Sequence, residues 1–134
     1  MKPLDDISSR LQTVLAGRVK FALLYGSILT PYFNADSDLD LGVFVGRPVS
    51  SGDKLGLQHL LEEALAQQYE FDLVVLDTAD PIIAMQILAN GRLIVEEDRL
   101  AFIRYKARMI SQYLDFKMDR KRLEDRILEG SIYA

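Results

Sequence analysis

Hydrophobic residues follow two kinds of spacing along the chain, and these predict helices and short strands in alternation. Spacings of three and four residues predict helices, whereas short continuous apolar runs predict buried strands. Asp80-Pro81 marks the start of a further helix, because an acid caps a helix and proline fits its first position. In chain order the predicted elements are a helix over 5–16, a strand over 19–25, and a strand over 39–45 that is expected to begin near Asp38. They continue with a helix over 55–68, a strand over 71–76, a helix over 80–90, a short strand over 92–95 and a long helix from 98 to about 117 that can continue to 128.

This order predicts a mixed α/β (α+β) fold, in which helices flank a small mixed β-sheet. The length of 134 residues fits one domain over residues 1–134, and a hydrophobic content of 49% is typical of a globular chain. The sequence contains no cysteine and one histidine, His59. Disulfides, thiolate zinc sites and cysteine nucleophiles are therefore excluded. Any chemistry falls to carboxylates, hydroxyls, backbone amides or bound ions.

Charge is distributed unevenly along the chain, whose net charge is −4. Residues 1–98 hold 7 basic and 15 acidic residues, a balance of −8, whereas residues 99–134 hold 9 and 5, a balance of +4. A basic end on an acidic body indicates either a partner surface or a solvated helix face. No apolar run approaches the roughly 20 residues that span a bilayer, and residues 1–10 do not resemble a targeting signal. We therefore expect a cytoplasmic protein with no membrane contact.

Acidic residues occur inside two of the predicted apolar strands. Asp38 and Asp40 flank Leu39, so strand alternation directs both carboxylates to one face. Acids are depleted in strands, and a divalent cation such as Mg²⁺ is the simplest reason for this pair. A solvated pair is the alternative. Asp72 repeats the pattern in the third strand, and three carboxylates on one face could hold two metal ions if the strands are neighbours.

Gly26-Ser27 follows the first predicted strand and favours an anion site. A glycine lets a phosphate approach the backbone, and the amides and hydroxyl of such a turn can bind it. A simple turn is the alternative. A phosphate-binding turn facing metal-binding carboxylates would form a nucleoside triphosphate site for phosphoryl-group chemistry.

The motif formed by Gly26-Ser27, ten intervening residues and then Asp38-Leu39-Asp40 resembles the G-S-x10-D-x-D signature of DNA polymerase β-like nucleotidyltransferases. The short chain is similar to the minimal nucleotidyltransferases of that superfamily. Residues 87–94 and 113–117 resemble, more narrowly, the MntA-type antitoxins that are paired with HepT-type HEPN toxins. The resemblance implies the polymerase β-like nucleotidyltransferase fold.

Site roles follow from this resemblance, residue by residue. In the family, the glycine and serine hold the triphosphate, which corresponds to Gly26 and Ser27 here. The paired aspartates bind Mg²⁺, which corresponds to Asp38 and Asp40, and a third acid on the next strand corresponds to Asp72. The implied catalytic set is therefore Ser27 with the three aspartates, and the implied cofactors are two Mg²⁺ ions with ATP as substrate.

The resemblance also implies a biological role. Such antitoxins resemble enzymes that move AMP from ATP to a tyrosine of the HEPN toxin and so silence its RNase, in a type VII-like toxin–antitoxin pair. We therefore expect a hetero-oligomer with a HepT-type toxin encoded by the adjacent gene. Two alternatives are an antitoxin that neutralises by contact alone and a nucleotidyltransferase acting on a small molecule or RNA.

The last predicted helix carries two apolar stripes about 130° apart. One stripe can pack on the sheet, and the other, which would be a large aromatic surface if left bare, is covered either by its own domain or by a partner. The basic run 120–122 could meet an acidic toxin surface or tRNA, although we do not expect direct nucleic-acid binding. His59 is expected on the surface, and Tyr25 and Tyr32 in the core rather than stacked on a base. The stripes are Phe102, Tyr105, Met109, Tyr113 and Phe116, and Leu100, Ile103, Ala107, Ile110 and Leu114.

Overall fold

The computed structural model describes residues 3–130, whose strands form one mixed sheet. The strands are β1 (Phe21–Tyr25), β2 (Leu39–Phe44), β3 (Phe71–Val75) and β4 (Arg92–Glu96), in the spatial order β3-β2-β1-β4. β1 runs antiparallel to β2 and β4, whereas β2 and β3 are parallel. The mixed α/β fold expected from the sequence is confirmed. The helices are α1 (Pro3–Leu15), α2 (Ser51–Ala64), α3 (Pro81–Asn90) and α4 (Arg99–Leu128).

Helices cover both faces of the sheet, because alternate residues of each strand point to opposite sides. In β1, Ala22 and Leu24 pack against α1 and α2, whereas Phe21 and Leu23 pack against α3 and α4. The sheet therefore separates two apolar clusters. The first includes Ile7, Leu11, Leu15, Leu41, Leu61 and Leu73, and the second includes Leu76, Ala84, Ile87, Tyr105 and Met109.

Capping groups set the starts of α2 and α3, and backbone conformation sets the end of α2. The Ser50 hydroxyl accepts a hydrogen bond from the Asp53 amide, and the Asp53 carboxylate accepts one from the Ser50 amide. This capping box starts α2 at Ser51, four residues before the expected start at 55. The helix ends at Ala64 rather than at 68, because Ala66 and Gln67 have positive φ angles. Asp80 caps α3 as expected, accepting a hydrogen bond from the Ile82 amide.

A second carboxylate ties the far end of β2 to the chain beyond β3. Asp77 lies in a 3-10 turn, Leu76–Thr78, and accepts hydrogen bonds from the amides of Val45 and Gly46 at 2.9 and 2.7 Å. It satisfies two backbone donors that the strand leaves unpaired as it ends. Asp77 therefore has a structural role: it fixes the end of β2 to the turn that follows β3.

Helix α4 packs on the sheet through one of its two stripes. Tyr105 and Met109 are buried, whereas Leu100, Ile103, Ile110 and Leu114 are each 43–53% exposed. The stripe left bare is therefore the aliphatic one, and the expectation of a bare aromatic surface is wrong for residues 102–109. Every residue from 114 to 130 is exposed, because α4 extends beyond the body.

The exposure of His59 and Tyr32 tests the positions expected for these two side chains. His59 is on the surface as expected, and its side chain lies 3.1 Å from Glu63. Tyr32 is 84% exposed, so core packing is the wrong expectation for this residue. Its amide donates a hydrogen bond to the Thr30 hydroxyl, and its carbonyl accepts one from the Asn34 side chain, both within the loop. No helix within residues 3–130 has the length and apolar content required to cross a membrane.

The buried Tyr105 hydroxyl supplies a test of this packing, since it donates a hydrogen bond to the Leu76 carbonyl at 2.8 Å. We expect Tyr105→Phe to lower the free energy of unfolding by about 1 kcal/mol, because the carbonyl loses its buried partner. Urea unfolding measures this change. Tyr32→Phe is the control, and a Tyr105→Phe protein as stable as that control would contradict the contact.

Candidate functional site

Three polar side chains form one row across the sheet. The strand register pairs Tyr25 of β1 with Asp40 of β2, and Asp40 with Asp72 of β3. Residues paired directly across neighbouring strands point to the same face. We call these three residues the acidic row. It lies on the sheet face that α3 and α4 cover, at the end of the sheet where β2 begins.

The electrostatics of the acidic row centre on Asp40. Burial raises the pKa of the Asp40 carboxyl above its ordinary value of 3.8, and the negative charges of Asp72 and Asp38 raise it further. A hydrogen bond with the Asp72 carboxyl acts in the same direction. The structure therefore crowds like charges at one place, which is the environment that a bound cation would relieve.

Asp38 lies one residue before β2, in the loop that leads into the strand, and is exposed. Its charge nevertheless acts on Asp40. The structure thus brings Asp40 and Asp72 together as the sequence predicted, with Asp38 at their border. The position of Asp38 in a loop leaves its carboxylate less constrained than the two carboxylates that strand pairing holds.

The predicted phosphate-binding turn directly adjoins the acidic row. Gly26 and Ser27 begin a 3-10 turn, Gly26–Leu29, that follows β1 without a break. Gly26 has a φ of +78°, and a Cβ added there would overlap the Asp40 carboxylate oxygen Oδ2. Only glycine fits this backbone conformation next to that carboxylate without strain.

The turn presents amide groups that its own N-cap residue does not satisfy. Tyr25 occupies the N-cap position and makes no side-chain hydrogen bond to the turn. The far end is fixed by Thr30, whose amide and hydroxyl both donate hydrogen bonds to the Ser27 carbonyl, at 2.9 and 2.8 Å. A short turn with amides open at one end and pinned at the other can bind an oxyanion.

Thr30 is a site residue that the sequence did not predict. Tyr25 packs partly buried against the second apolar cluster, as expected, but it also borders the acids, which was not expected. Burial, with the charges of Asp72 and Asp40, raises the pKa of the Tyr25 phenol to about 12. The phenol is therefore a neutral group beside the carboxylates at physiological pH. Its position directly before Gly26 was the available signal, as was the Ser-x-x-Thr spacing of Ser27 and Thr30 for the closing hydrogen bond.

The carboxylates of Asp38, Asp40 and Asp72 are chemically suited to a hard divalent cation, but the three side chains do not converge on one point. Within residues 3–130, no group of three acidic, histidine or cysteine side chains is placed to hold a metal ion. No ion pair found in that range involves Asp38, Asp40 or Asp72. Carboxylate oxygens are the ligands that Mg²⁺ prefers.

A family profile described as "Polymerase beta, Nucleotidyltransferase" matches residues 7–100 of the chain. The matched segment contains the acidic row and the turn at Gly26, and it ends at the second residue of α4. No curated protein matches the chain by sequence.

Three solved structures show the same fold. A chain of a toxin–antitoxin structure with AMP-PNP has a TM-score of 0.75 and 19% identity, over 90% of this chain and 98% of that one. A chain of an MntA–HepT toxin–antitoxin structure has a TM-score of 0.71 and 18% identity, over 92% and 98%. A structure of a tri-AMPylated HEPN toxin from Shewanella oneidensis in complex with the MNT antitoxin gives a TM-score of 0.71 and 20% identity, over 96% and 99%.

The contact between Gly26 and Asp40 can be tested against a matched glycine. Gly17 has a similar φ of +75°, but a Cβ there would meet nothing within 4 Å. We expect Gly17→Ala to cost about 1 kcal/mol of unfolding free energy through backbone strain alone. Gly26→Ala should cost more in urea unfolding, because its methyl group also collides with the Asp40 carboxylate.

The Asp40→Ala background provides the control for this comparison. Removing the carboxylate removes the collision but leaves the backbone strain, so Gly26→Ala and Gly17→Ala should become similarly costly. Equal costs in the wild-type background, or an unchanged difference in the Asp40→Ala background, would contradict the contact.

The raised pKa of Asp40 predicts a pH-dependent stability. The folded protein holds the proton more tightly than the unfolded chain, so ionisation of Asp40 lowers stability as pH rises from about 3.8 through the higher folded-state pKa. Asp40→Asn removes this loss. With a chelator present, the variant should therefore be more stable than wild type at pH 7, and the gain should shrink towards pH 3.5.

Urea unfolding across that pH range measures the effect, with Asp36→Asn in the exposed loop before β2 as a control for one lost charge. A constant difference between Asp40→Asn and wild type at every pH would show that Asp40 is not crowded by like charge.

Proposed function

This chain belongs to the polymerase beta nucleotidyltransferase family, and we propose that it moves AMP from ATP to a tyrosine hydroxyl of a HEPN-domain toxin. In this proposal the chain is the antitoxin of a HepT-type toxin encoded beside it, and the modification silences the toxin. The proposal rests on the family, on the geometry of the acidic row and on the kinds of complex in which similar folds occur.

The observation that carries the proposal is the contact between the turn and the acids. Gly26 lies against the Asp40 carboxylate, so an anion bound at the turn would sit within reach of a cation held by Asp40 and Asp72. A nucleoside triphosphate with its divalent cations has this arrangement of charge. We therefore assign Gly26 and Ser27 to the triphosphate, through their amides and the serine hydroxyl.

Mg²⁺ is the cofactor that the donor set suits best. Asp40 and Asp72 would hold it as a pair, and Asp38 would join them from the loop before β2. When bound, Mg²⁺ supplies Lewis-acid stabilisation of charge on the phosphates and on the attacking oxygen. The carboxylates repel one another, so cation binding would offset this repulsion.

The chain's own residues then perform an in-line displacement. The turn holds the triphosphate while the tyrosine oxygen of the acceptor forms a bond to the α-phosphorus. The bond from that phosphorus to the oxygen bridging to the β-phosphate breaks, and pyrophosphate leaves. Asp72 is the exposed carboxylate of the row, and we assign it to accept the proton from the tyrosine hydroxyl.

The acceptor is inferred from structural relatives. Similar folds occur in toxin–antitoxin complexes, one holding AMP-PNP and another a tri-AMPylated HEPN toxin. These relatives are 19–20% identical to the chain, so they support the fold directly and the acceptor by analogy. A small site of this kind selects its acceptor through a bound partner more readily than through a pocket.

Incubation of the chain with ATP, Mg²⁺ and the HEPN protein of the adjacent gene tests this function. We expect intact-mass spectrometry to show additions of whole AMP units to the HEPN protein, on tyrosine by peptide mapping. Asp38→Asn with Asp40→Asn should slow the transfer by about 100-fold or more, because the double variant loses carboxylates that would hold the cation against the phosphates.

Asp80→Asn is the matched control, since asparagine caps α3 as well as aspartate does. An unmodified HEPN protein with active wild-type chain would disprove the proposed reaction. If the double variant still rescued cells from the toxin, neutralisation by contact would replace transfer as the function. Labelling of RNA or a small molecule instead would identify a different acceptor.

A further inference from the structure

The two edges of the sheet differ in how their backbone is covered. β4 lies at one edge, where a register shift interrupts its pairing with β1 and the Gln12 side chain donates a hydrogen bond to the Ile94 carbonyl at 2.8 Å. β3 lies at the other edge and pairs with β2 in one continuous register. Irregular pairing and covering groups keep edge strands from pairing with other chains, so β3 is the less protected edge.

The register also shows which backbone groups of β3 face outward. The Leu39 amide donates a hydrogen bond to the Glu70 carbonyl at 2.9 Å. Alternate residues of the strand therefore direct their amides and carbonyls towards β2, and the residues between them direct theirs away from it. The outward residues are Phe71, Leu73 and Val75.

Part of this outward backbone is uncovered. The Gln58 side chain donates a hydrogen bond to the Phe71 carbonyl at 3.1 Å. No hydrogen bond within residues 3–130 is found for the outward amide and carbonyl of Leu73 or for the amide of Val75. A groove of about 360 Å³ runs beside these groups, between the start of α2 and the turn that follows β3. We call this groove, with the outward groups of Leu73 and Val75, the open edge.

The open edge adjoins the acidic row, because Asp72 lines the same groove. A strand added at this edge would pair one of its own residues directly with Asp72. Side chains of directly paired residues point to the same face of a sheet, with their Cβ atoms about 4.5–5.5 Å apart. That added residue would therefore extend the acidic row by one place, beside the carboxylate assigned to accept the proton.

Tyr25 indicates how far a phenol extends along this row. It is paired with Asp40, and burial, together with the charge of Asp72 one strand further along, raises the pKa of its phenol. A tyrosine paired with Asp72 would extend in the same way over Asp72 towards Asp40. Its hydroxyl would then lie near the carboxylates assigned to the cation and to the proton.

The unpaired amides and carbonyl select an extended backbone, and the place opposite Asp72 suits a tyrosine. We propose that the open edge binds the acceptor as an added β-strand, through a tyrosine-bearing segment of the protein that receives AMP. Main-chain hydrogen bonds to an edge strand provide affinity in such complexes. The tyrosine oxygen bonds to the α-phosphorus, pyrophosphate leaves and the proton passes to Asp72. This inference rests on the proposed function for the acceptor's identity, and it adds the conformation in which the acceptor is bound.

Hydrogen exchange measured by mass spectrometry tests the added strand without any change to β3. The HEPN protein of the adjacent gene, added to the Asp38→Asn, Asp40→Asn protein, should slow exchange in residues 71–75 by about 10-fold or more at saturation. Residues 92–96, in β4, are the internal control and should exchange at an unchanged rate. Unchanged exchange in residues 71–75, with or without binding of the HEPN protein elsewhere, would overturn the inference.

Val75→Pro removes one outward amide at a place where proline fits. Val75 has a φ of −83°, close to the −65° that proline requires, and an edge strand tolerates proline where its amide faces outward. We expect the KM for the HEPN protein to rise by about 10-fold or more, with the KM for ATP unchanged. An unchanged KM for the HEPN protein would contradict the added strand.

Arg99→Pro is the matched control, because it places proline at the first position of α4, where helices accept it. Both KM values should stay at the wild-type level in this variant. Circular dichroism checks that each variant is folded, and the exchange measurement decides the matter if Val75→Pro does not fold.

These measurements distinguish the inference from the proposed function. Protection of residues 71–75 by a HEPN protein that never gains AMP would disprove the transfer and leave the docking site intact. Transfer by the Val75→Pro protein with a wild-type KM would disprove the docking site and leave the transfer intact. A wild-type dimer in light scattering that Val75→Pro dissociates would also overturn the inference, in favour of a second copy paired through the same edge.

Discussion

The parallel pairing of β2 with β3 sets Asp40 beside Asp72, and the architecture of the site depends on this juxtaposition of like charges. Ordinary sheets avoid it, because carboxylates directly opposite each other repel. Here burial adds to the repulsion and raises the pKa of Asp40. Gly26 completes the arrangement, since only a residue without a side chain can turn the backbone against that carboxylate. A fold that retains such a cost at one place is typical of a functional site.

Local patterns predicted most of the helices and strands, because helical spacing, apolar runs and caps each depend on residues that are close in sequence. Asp80 and Pro81 placed the start of α3 correctly for this reason. The expected start of α2 was wrong because the apolar periodicity begins only at Leu55, whereas the capping box formed by Ser50 and Asp53 starts the helix earlier. The expected end of α2 was wrong because alanine and glutamine, at positions 66 and 67, do not indicate positive φ angles.

The carboxylates and the glycine turn of the candidate site could be predicted from the sequence, but Thr30, the role of Tyr25 and the geometry could not. Strand alternation shows that Asp40 and Asp72 each point away from the apolar side chains next to them in sequence. Only the register between the two strands, which are distant in sequence, places the two carboxylates side by side in one row. The same register brings Tyr25 to the acids, although its sequence neighbours suggested core packing. Asp38 differs from these residues because it precedes β2. Strand alternation therefore does not set the direction of its carboxylate, which depends on the loop conformation.

Helix α4 shows why two equal patterns need not have equal roles. Both stripes have helical spacing, so periodicity alone cannot say which one packs. The aromatic stripe packs because its rings contact Phe21 and Phe44 on the face of the sheet, and because the Tyr105 hydroxyl donates a hydrogen bond to the Leu76 carbonyl. Packing of that stripe forces the aliphatic one outward.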